Sequence, residues 1–469
     1  MEDIKGLMIK RFLTYIGAFF GTLLILWLLL FLSALIPNES IKENMIDSAY
    51  YYSDKQPYQF PKDGKFNGIE DNYADSILLG VLWNMDSDNA FETSLDTKYY
   101  DGDERGENFG LYAAINGHEA NVDYSRYWHG SVTFIRPLML ITTVDNIEWI
   151  SFGVFAVLLL IVCIILIKKK CAAVAGILLI SLACVQIWNI RLSLEYMPAF
   201  IVAMVMSILF LLMEKRGDSY ITILSVISGV MVAFYDFLTT ETVAILLPFA
   251  LVFMVRAKEE RLGERKDNIV MLIKSGLAWA SAYVSTFVVK WVVASAVTGE
   301  NKIIASFSSA KERFNGVETE ENISAFQEFL YAIPANLSTV FGGTVRVDVG
   351  NVIGGLIIFV MVAGSIFYLF SSKEKNKEIA FILLIIGLLP YVRFAVLNNH
   401  SYLHEFFTYR AQCVSVFALF GMIYFNTRFS FVLEQGSKAS VRKKYTKKNA
   451  KDVNNGAKNN AKKGNKRKR

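Results

Sequence analysis

Carboxylates, histidines and arginines recur at the ends of apolar stretches in this chain, and their spacing points to proton transfer beside an anion. Asp71 and Asp75 stand four residues apart, Glu70 adjoins them, and the apolar run 77–83 follows at once. On a helix that spacing presents two carboxylates on one face, and such a group at the edge of an apolar segment suits a general base. Farther along, Arg126, His129 and Arg136 lie within 123–137, Asp236 and Glu241 bracket Phe-Leu-Thr-Thr, and His400, His404 and Arg410 follow Asn398-Asn399. Three of the four histidines of the chain fall in these segments. A shelf of His and Arg binds phosphate through charge-assisted hydrogen bonds. The His400/His404 pair also has the spacing of a zinc site, but Ser-Tyr-Leu between them brings no acid and no HExxH motif occurs, so no zinc site is expected there. Asp86, Asp88, Asp101 and Asp103 read as solvated surface. Lys290 and Arg393 either line a cavity or snorkel to headgroups.

The elements that must carry these residues are apolar helices. A bilayer core of about 30 Å needs roughly 20 apolar residues, and 54% of the chain is hydrophobic. The stretches 12–36, 145–167, 171–189, 196–213, 219–236, 240–256, 268–296, 350–371, 378–398 and 409–428 read as spans. The expected fold is an all-α polytopic membrane protein of about ten transmembrane helices, with a large first extracytoplasmic loop bearing surface helices. Basic clusters at 5–11, 168–170, 215–216, 256–266 and 373–377 fall on one parity of this count. The positive-inside rule then makes that side, and both termini, cytoplasmic. The division is 1–36 for the N-terminus and first span, 37–144 for the extracytoplasmic loop, 145–428 for the multi-span part (with outer loop 297–349) and 429–469 for a basic disordered tail.

The first span is too long for a cleaved signal and reads as a signal anchor. The four cysteines lie in or beside spans and suggest no disulfide framework. The tail from Lys438 holds about 14 Lys and Arg against Asp452 alone, which suits anionic membrane lipid rather than nucleic acid. Within the first loop, 77–83, 109–116 and 124–143 are apolar enough for two or three surface helices, joined by a turn-rich stretch at 86–107. The 297–349 loop reads as an amphipathic helix with Phe314, Val317, Ile323, Phe326, Phe329 and Leu330 on one stripe. No glycine-rich nucleotide motif is present, which argues against a cytoplasmic nucleotide-sugar or ATP site.

An inward N-terminus, a first outer loop of about a hundred residues with an acidic motif, and then a row of spans resembles the GT-C superfamily, multi-span glycosyltransferases that use polyprenyl-phosphate sugars. The segments 124–136, 235–240 and 399–410 resemble those of bacterial membrane proteins grouped near it. The resemblance implies transfer of a sugar from a polyprenyl-phosphate donor to a cell-surface acceptor at the outer face of the cell membrane. It implies that Asp71, with Glu70 and Asp75 as neighbours, is the catalytic base. Arg126, His129, Arg136, Asp236, His400, His404 and Arg410 would bind substrate, and the Asp71 region has room for a divalent cation, Mg or Mn. The acidic pair lies about 35 residues beyond the first span, farther than the superfamily places it. A lipid or polysaccharide flippase, a surface-polysaccharide polymerase or ligase, and an acyltransferase are the alternatives. Charges gathered at one interface rather than at mid-bilayer favour the enzyme over the transporter.

Overall fold

A proline-free run rich in Leu, Ile and Phe folds as one 33-residue helix, α1 (Glu2–Ala34), and ends just before Pro37, which cannot extend it. In the computed structural model, residues 2–102, 106–315, 324–343, 363 and 376–427 are described. After α1 the chain forms α2 (Asn38–Ser53), α3 (Asn72–Trp83), α4 (Ala90–Thr93), α5 (Glu107–Ile115) and α6 (Val132–Leu138). Two antiparallel pairs of two-residue strands, Tyr58–Gln59 with Glu70–Asp71 and Lys98–Tyr99 with Val122–Asp123, close the loops between them. Met45 of α2, Leu78, Leu79 and Leu82 of α3 and Leu111 of α5 bury one another. The apolar runs 77–83 and 109–116 are thus helical as expected, but α3 is enclosed by its neighbours. The acids at its start do not face out from a surface helix.

The remaining described helices are α7 (Val144–Lys168), α8 (Ala172–Cys184), α9 (Pro198–Met213), α10 (Asp218–Tyr235), α11 (Val243–Lys258), α12 (Arg265–Thr298), α13 (Lys302–Asn315), α14 (Ala325–Thr339), α15 (Lys377–Val396), α16 (Asn398–Leu403), α17 (Glu405–Thr408) and α18 (Cys413–Asn426). Seven helical stretches among the described residues are long and apolar enough to cross a membrane: Ile9–Ala34, Val144–Lys168, Pro198–Arg216, Asp218–Tyr235, Arg265–Thr298, Lys377–Val396 and Glu405–Asn426. Of the other three expected spans, 350–371 lies outside the described residues apart from residue 363. The 171–189 stretch makes a 13-residue helix, α8, and the 240–256 stretch makes α11, 16 residues long with Pro248 inside it. At 1.5 Å per residue these reach about 20 and 24 Å. Every residue of α11 from Val243 to Arg256 is buried, so its apolarity fills the middle of a bundle. Where α10 crosses α12, Gly229 lets the backbones touch: a Cβ there would stand 2.4 Å from the Trp279 carbonyl.

The basic clusters at 168–170, 215–216 and 256–266 meet at one end of the bundle. Buried Glu214 accepts from Lys169 at 3.0 Å and from Arg261 at 2.8 Å, Arg256 reaches Asp218 at 2.9 Å, and Arg265 pairs with Glu378 at 2.8 Å. The 37–144 segment caps the other end. Lys290 of α12 donates to the Leu95 carbonyl at 2.7 Å, and the Trp128 indole donates to the Thr286 carbonyl at 2.8 Å. Trp291 donates to the Arg126 carbonyl at 3.0 Å, and Lys302 pairs with Asp96 at 3.1 Å and with Asp123.

Among the described residues of 297–349 there are two helices, α13 and α14, and α14 has its polarity reversed. Phe326, Phe329 and Leu330 share an exposed face, as the stripe anticipates, while Val317 and Ile323 lie outside the described residues. The inward face of α14 is polar or small, with Glu328, Ala332, Ala335, Asn336 and Thr339 buried. Asn336 Nδ2 donates to the Ala332 and Ser401 carbonyls, both at 2.8 Å, and its Oδ1 accepts from the Thr408 hydroxyl at 2.7 Å.

Candidate functional site

Asp71 ends the second strand and caps α3. One oxygen accepts from the Ala74 amide at 3.0 Å, the usual bond of an N-cap aspartate. The residue is 3% exposed, and desolvation, opposed by that bond and reinforced by the charge of Asp75, raises its carboxyl to about 7. Two residues before it, the Ile69 carbonyl accepts at 3.3 Å from the hydroxyl of Tyr196, in the connection between α8 and α9. Tyr196 sits within electrostatic reach of both Asp71 and Arg410.

Arg410 follows α17, and its guanidinium carbon lies 4.6 Å from the centre of the Tyr196 ring and 4.9 Å from that of Tyr409. It is 1% exposed. It donates long bonds, 3.4 Å each, to the Phe406 and Asn67 carbonyls and lies beside the Tyr409 hydroxyl, and among the described residues its Nε has no partner and no carboxylate pairs with it. A buried guanidinium held by aromatic faces and lacking a counter-ion is ready for an anion.

Arg126 is likewise held against tyrosine rings. Its guanidinium carbon stands 4.2 Å from the Tyr124 ring centre and 5.4 Å from that of Tyr127, and its Nε has no partner among the described residues. Glu195 lies within electrostatic reach of both Tyr124 and Tyr196. Around them Tyr58 stacks on Tyr73 at 5.8 Å, Phe406 meets Tyr58 edge-on at 5.7 Å, and Phe407 lies 5.7 Å from Tyr196.

Other expected members play different parts. Glu70 pairs with Lys55 at 3.3 Å. Asp75, 1% exposed, accepts from Ser193 Oγ at 2.8 Å and from the Leu194 amide at 2.9 Å, and its carboxyl is also raised to about 7 by burial. Arg136 is no substrate ligand. Its guanidinium is surrounded by the Ile36, Leu82 and Met85 carbonyls and Asn38 Oδ1, and it fastens α6 to the ends of α1 and α3.

His129 cannot join a cationic shelf. Its Nε2 faces the Tyr124 carbonyl at 3.0 Å, which can only accept, so Nε2 carries the proton, and burial lowers its pKa to about 3. Asp236 accepts from the Thr239 amide at 2.9 Å and from the Thr239 hydroxyl, folding the turn into α11. His400 faces the Leu238 carbonyl of that turn at 3.0 Å, and His404 stacks on Phe407 at 5.2 Å. Arg393 of α15 also donates to that carbonyl and pairs with Glu241 at 2.9 Å. Of the five side chains expected to converge on a phosphate, Arg126 and Arg410 are held against tyrosine rings, while His129 and His400 face backbone carbonyls.

A divalent cation does not fit beside Asp71. Magnesium and manganese ask for several open oxygen ligands, whereas the neighbouring Asp75 is already bonded on both oxygens. No group of three or more His, Cys, Asp or Glu with metal-binding geometry occurs among the described residues.

An apolar cleft of about 310 Å³ opens beside this end of the bundle, lined by Phe134, Ile150, Val154, Ile201 and Val205, with Thr133 and Tyr235 at its polar edge. Sequence reasoning missed Tyr196, which is the hub of the arrangement. With 22 tyrosines and 35 phenylalanines in the chain, nothing in its spacing sets it apart. The chain matches no family model, no curated protein and no solved structure.

Proposed function

We propose that this chain is an integral-membrane glycosyltransferase of the kind its sequence resembles. It would act at the outer face of the cell membrane with both termini cytoplasmic, moving a sugar from a polyprenyl-phosphate donor to a surface acceptor. One observation carries the reading: a desolvated carboxyl with a pKa of about 7 lies within electrostatic reach of Tyr196, and against the same ring packs a buried guanidinium that has no counter-ion among the described residues. A base works best when its pKa lies near the working pH, and the leaving phosphate needs fixed positive charge in a dry site.

In this reading Asp71 takes the proton of the acceptor hydroxyl as that oxygen bonds to the anomeric carbon. The bond from that carbon to the phosphate oxygen breaks, and the phosphate leaves with the electron pair, inverting the sugar. Arg410 stabilises the departing charge and Arg126 guides the phosphate. The apolar cleft beside Ile150 and Ile201 offers room for part of the isoprenoid chain. Asp75, Glu70 and the His129–Asp236–His400 layer hold the geometry.

The test is transfer from a lipid-linked sugar donor by the full chain in lipid nanodiscs. Asp71→Asn should cost about 10²–10⁴-fold in rate. Arg410→Gln, removing charge-assisted bonds of about 1.5–3 kcal/mol, should cost roughly 10–100-fold. Asp101→Asn, on an exposed loop, should change nothing. Full activity in Asp71→Asn would move the base to Asp75 or Glu70, and activity in the triple variant would end the reading.

A further inference from the structure

Hydrogen counting at the foot of α3 exposes a group that the reaction above does not use. The Tyr52 hydroxyl, buried on α2, stands 3.1 Å from Asp75 Oδ2 and 3.2 Å from Glu148 Oε1, the latter one turn into α7. A phenol has one proton to donate. With both carboxyls ionised, one would face a phenol lone pair and a second negative charge across a desolvated gap, which is strongly unfavourable. The contact becomes favourable when one carboxyl is protonated and donates to the phenol oxygen, while the phenol donates to the other.

The remaining contacts decide which carboxyl is which. Asp75 already accepts from Ser193 Oγ and the Leu194 amide, so it is the better seat for the negative charge. Lys55 lies within electrostatic reach of both carboxyls, but the charged groups nearby have closer partners. Lys55 pairs with Glu70 and lies 3.7 Å from the Tyr51 ring centre, Arg191 stacks on Trp149 at 4.5 Å, Asp71 caps α3, and Glu195 lies toward Tyr196. No cation pairs with Glu148 among the described residues.

We infer that Asp75, Tyr52 and Glu148 form a proton-binding site in which Glu148 is the neutral acid, and that its proton latches α2 and α3 onto α7 and the Ser193–Leu194 turn. The site can be tested whether or not the chain transfers sugar. It sets the position of α3, and with it Asp71. Losing the proton places two charges across Tyr52 and pushes the latch apart. The latch therefore weakens as the pH rises and the proton is lost.

Two substrate-free measurements on the full chain in nanodiscs test this. Infrared spectra at pH 7 should show a protonated-carboxyl stretching band that is smaller in Glu148→Gln and unchanged in the exposed control Asp88→Asn. Glu148→Gln is a neutral isostere of the protonated acid, so it should melt within about 2 °C of wild type at pH 7. It should also lose much of the decline that wild type shows toward pH 9. A carboxyl band unchanged by Glu148→Gln, equal pH slopes in the two proteins, or a Glu148→Gln chain that fails to fold would each overturn the latch.

Discussion

Asp71 has a cost that can be measured without any substrate. Burial holds its carboxyl up to about 7, whereas an unfolded aspartate titrates near about 4. Between those values the folded chain binds a proton that the unfolded chain has released, so this residue lowers stability progressively as the pH rises through the window and fully above it. Asp71→Asn keeps a capping oxygen for the Ala74 amide and removes the charge. Its melting temperature should match wild type at pH 4 and exceed it by a few degrees at pH 8, and an equal or lower value at pH 8 would show a solvated carboxylate. His129 has the opposite sign: its lowered pKa means that stability is lost as the pH falls below about 6.5. The acids were legible in the sequence because a carboxylate before an apolar run is rare. The histidine was not, because its role depends on a carbonyl at Tyr124 that fixes the tautomer.

At the scale of elements, apolar periodicity located the helices but not their surroundings. The stretch at 240–256 is as apolar as a lipid-facing span, yet α11 is enclosed by protein, because hydrophobicity does not distinguish the two. In α14 the stripe was visible and its outward direction was not. An ordinary amphipathic helix would gain from replacing an inward asparagine by leucine. Here Asn336→Leu strands the Ser401 carbonyl and takes one acceptor from the Thr408 hydroxyl, which keeps the His404 carbonyl, and should cost about 1–3 kcal/mol in denaturation. At the other end, Glu214 has a fully buried side chain that draws Lys169, Arg256 and Arg261 together from three elements. Glu214→Gln leaves those cations without their shared anion and should lower stability by about 2–4 kcal/mol, whereas the exposed pair Lys215–Glu259 can lose its lysine for under about 1 kcal/mol.

For the whole molecule, one observable separates the proposed orientation from its inverse. Glu119 is exposed on the 37–144 segment and Lys266 is exposed among the basic clusters at the opposite end, while the four native cysteines are buried or half-buried. In intact cells an impermeant thiol reagent should label Glu119→Cys and spare Lys266→Cys until the membrane is opened, and the reverse pattern refutes the topology. The α12 clamp on the 37–144 segment has a temporal consequence as well. Lys290 follows its acceptor Leu95 by 195 residues. At about 5–20 residues per second, roughly 10–40 s of synthesis separate them. For that interval the segment must wait with the carbonyls of Ser94 and Leu95, and the acids Asp96 and Asp123, lacking the lysines that will close over them. Biogenesis of this protein thus includes an obligatory half-made state, and a chain halted before Lys290 is one that quality control can recognise by that open seam.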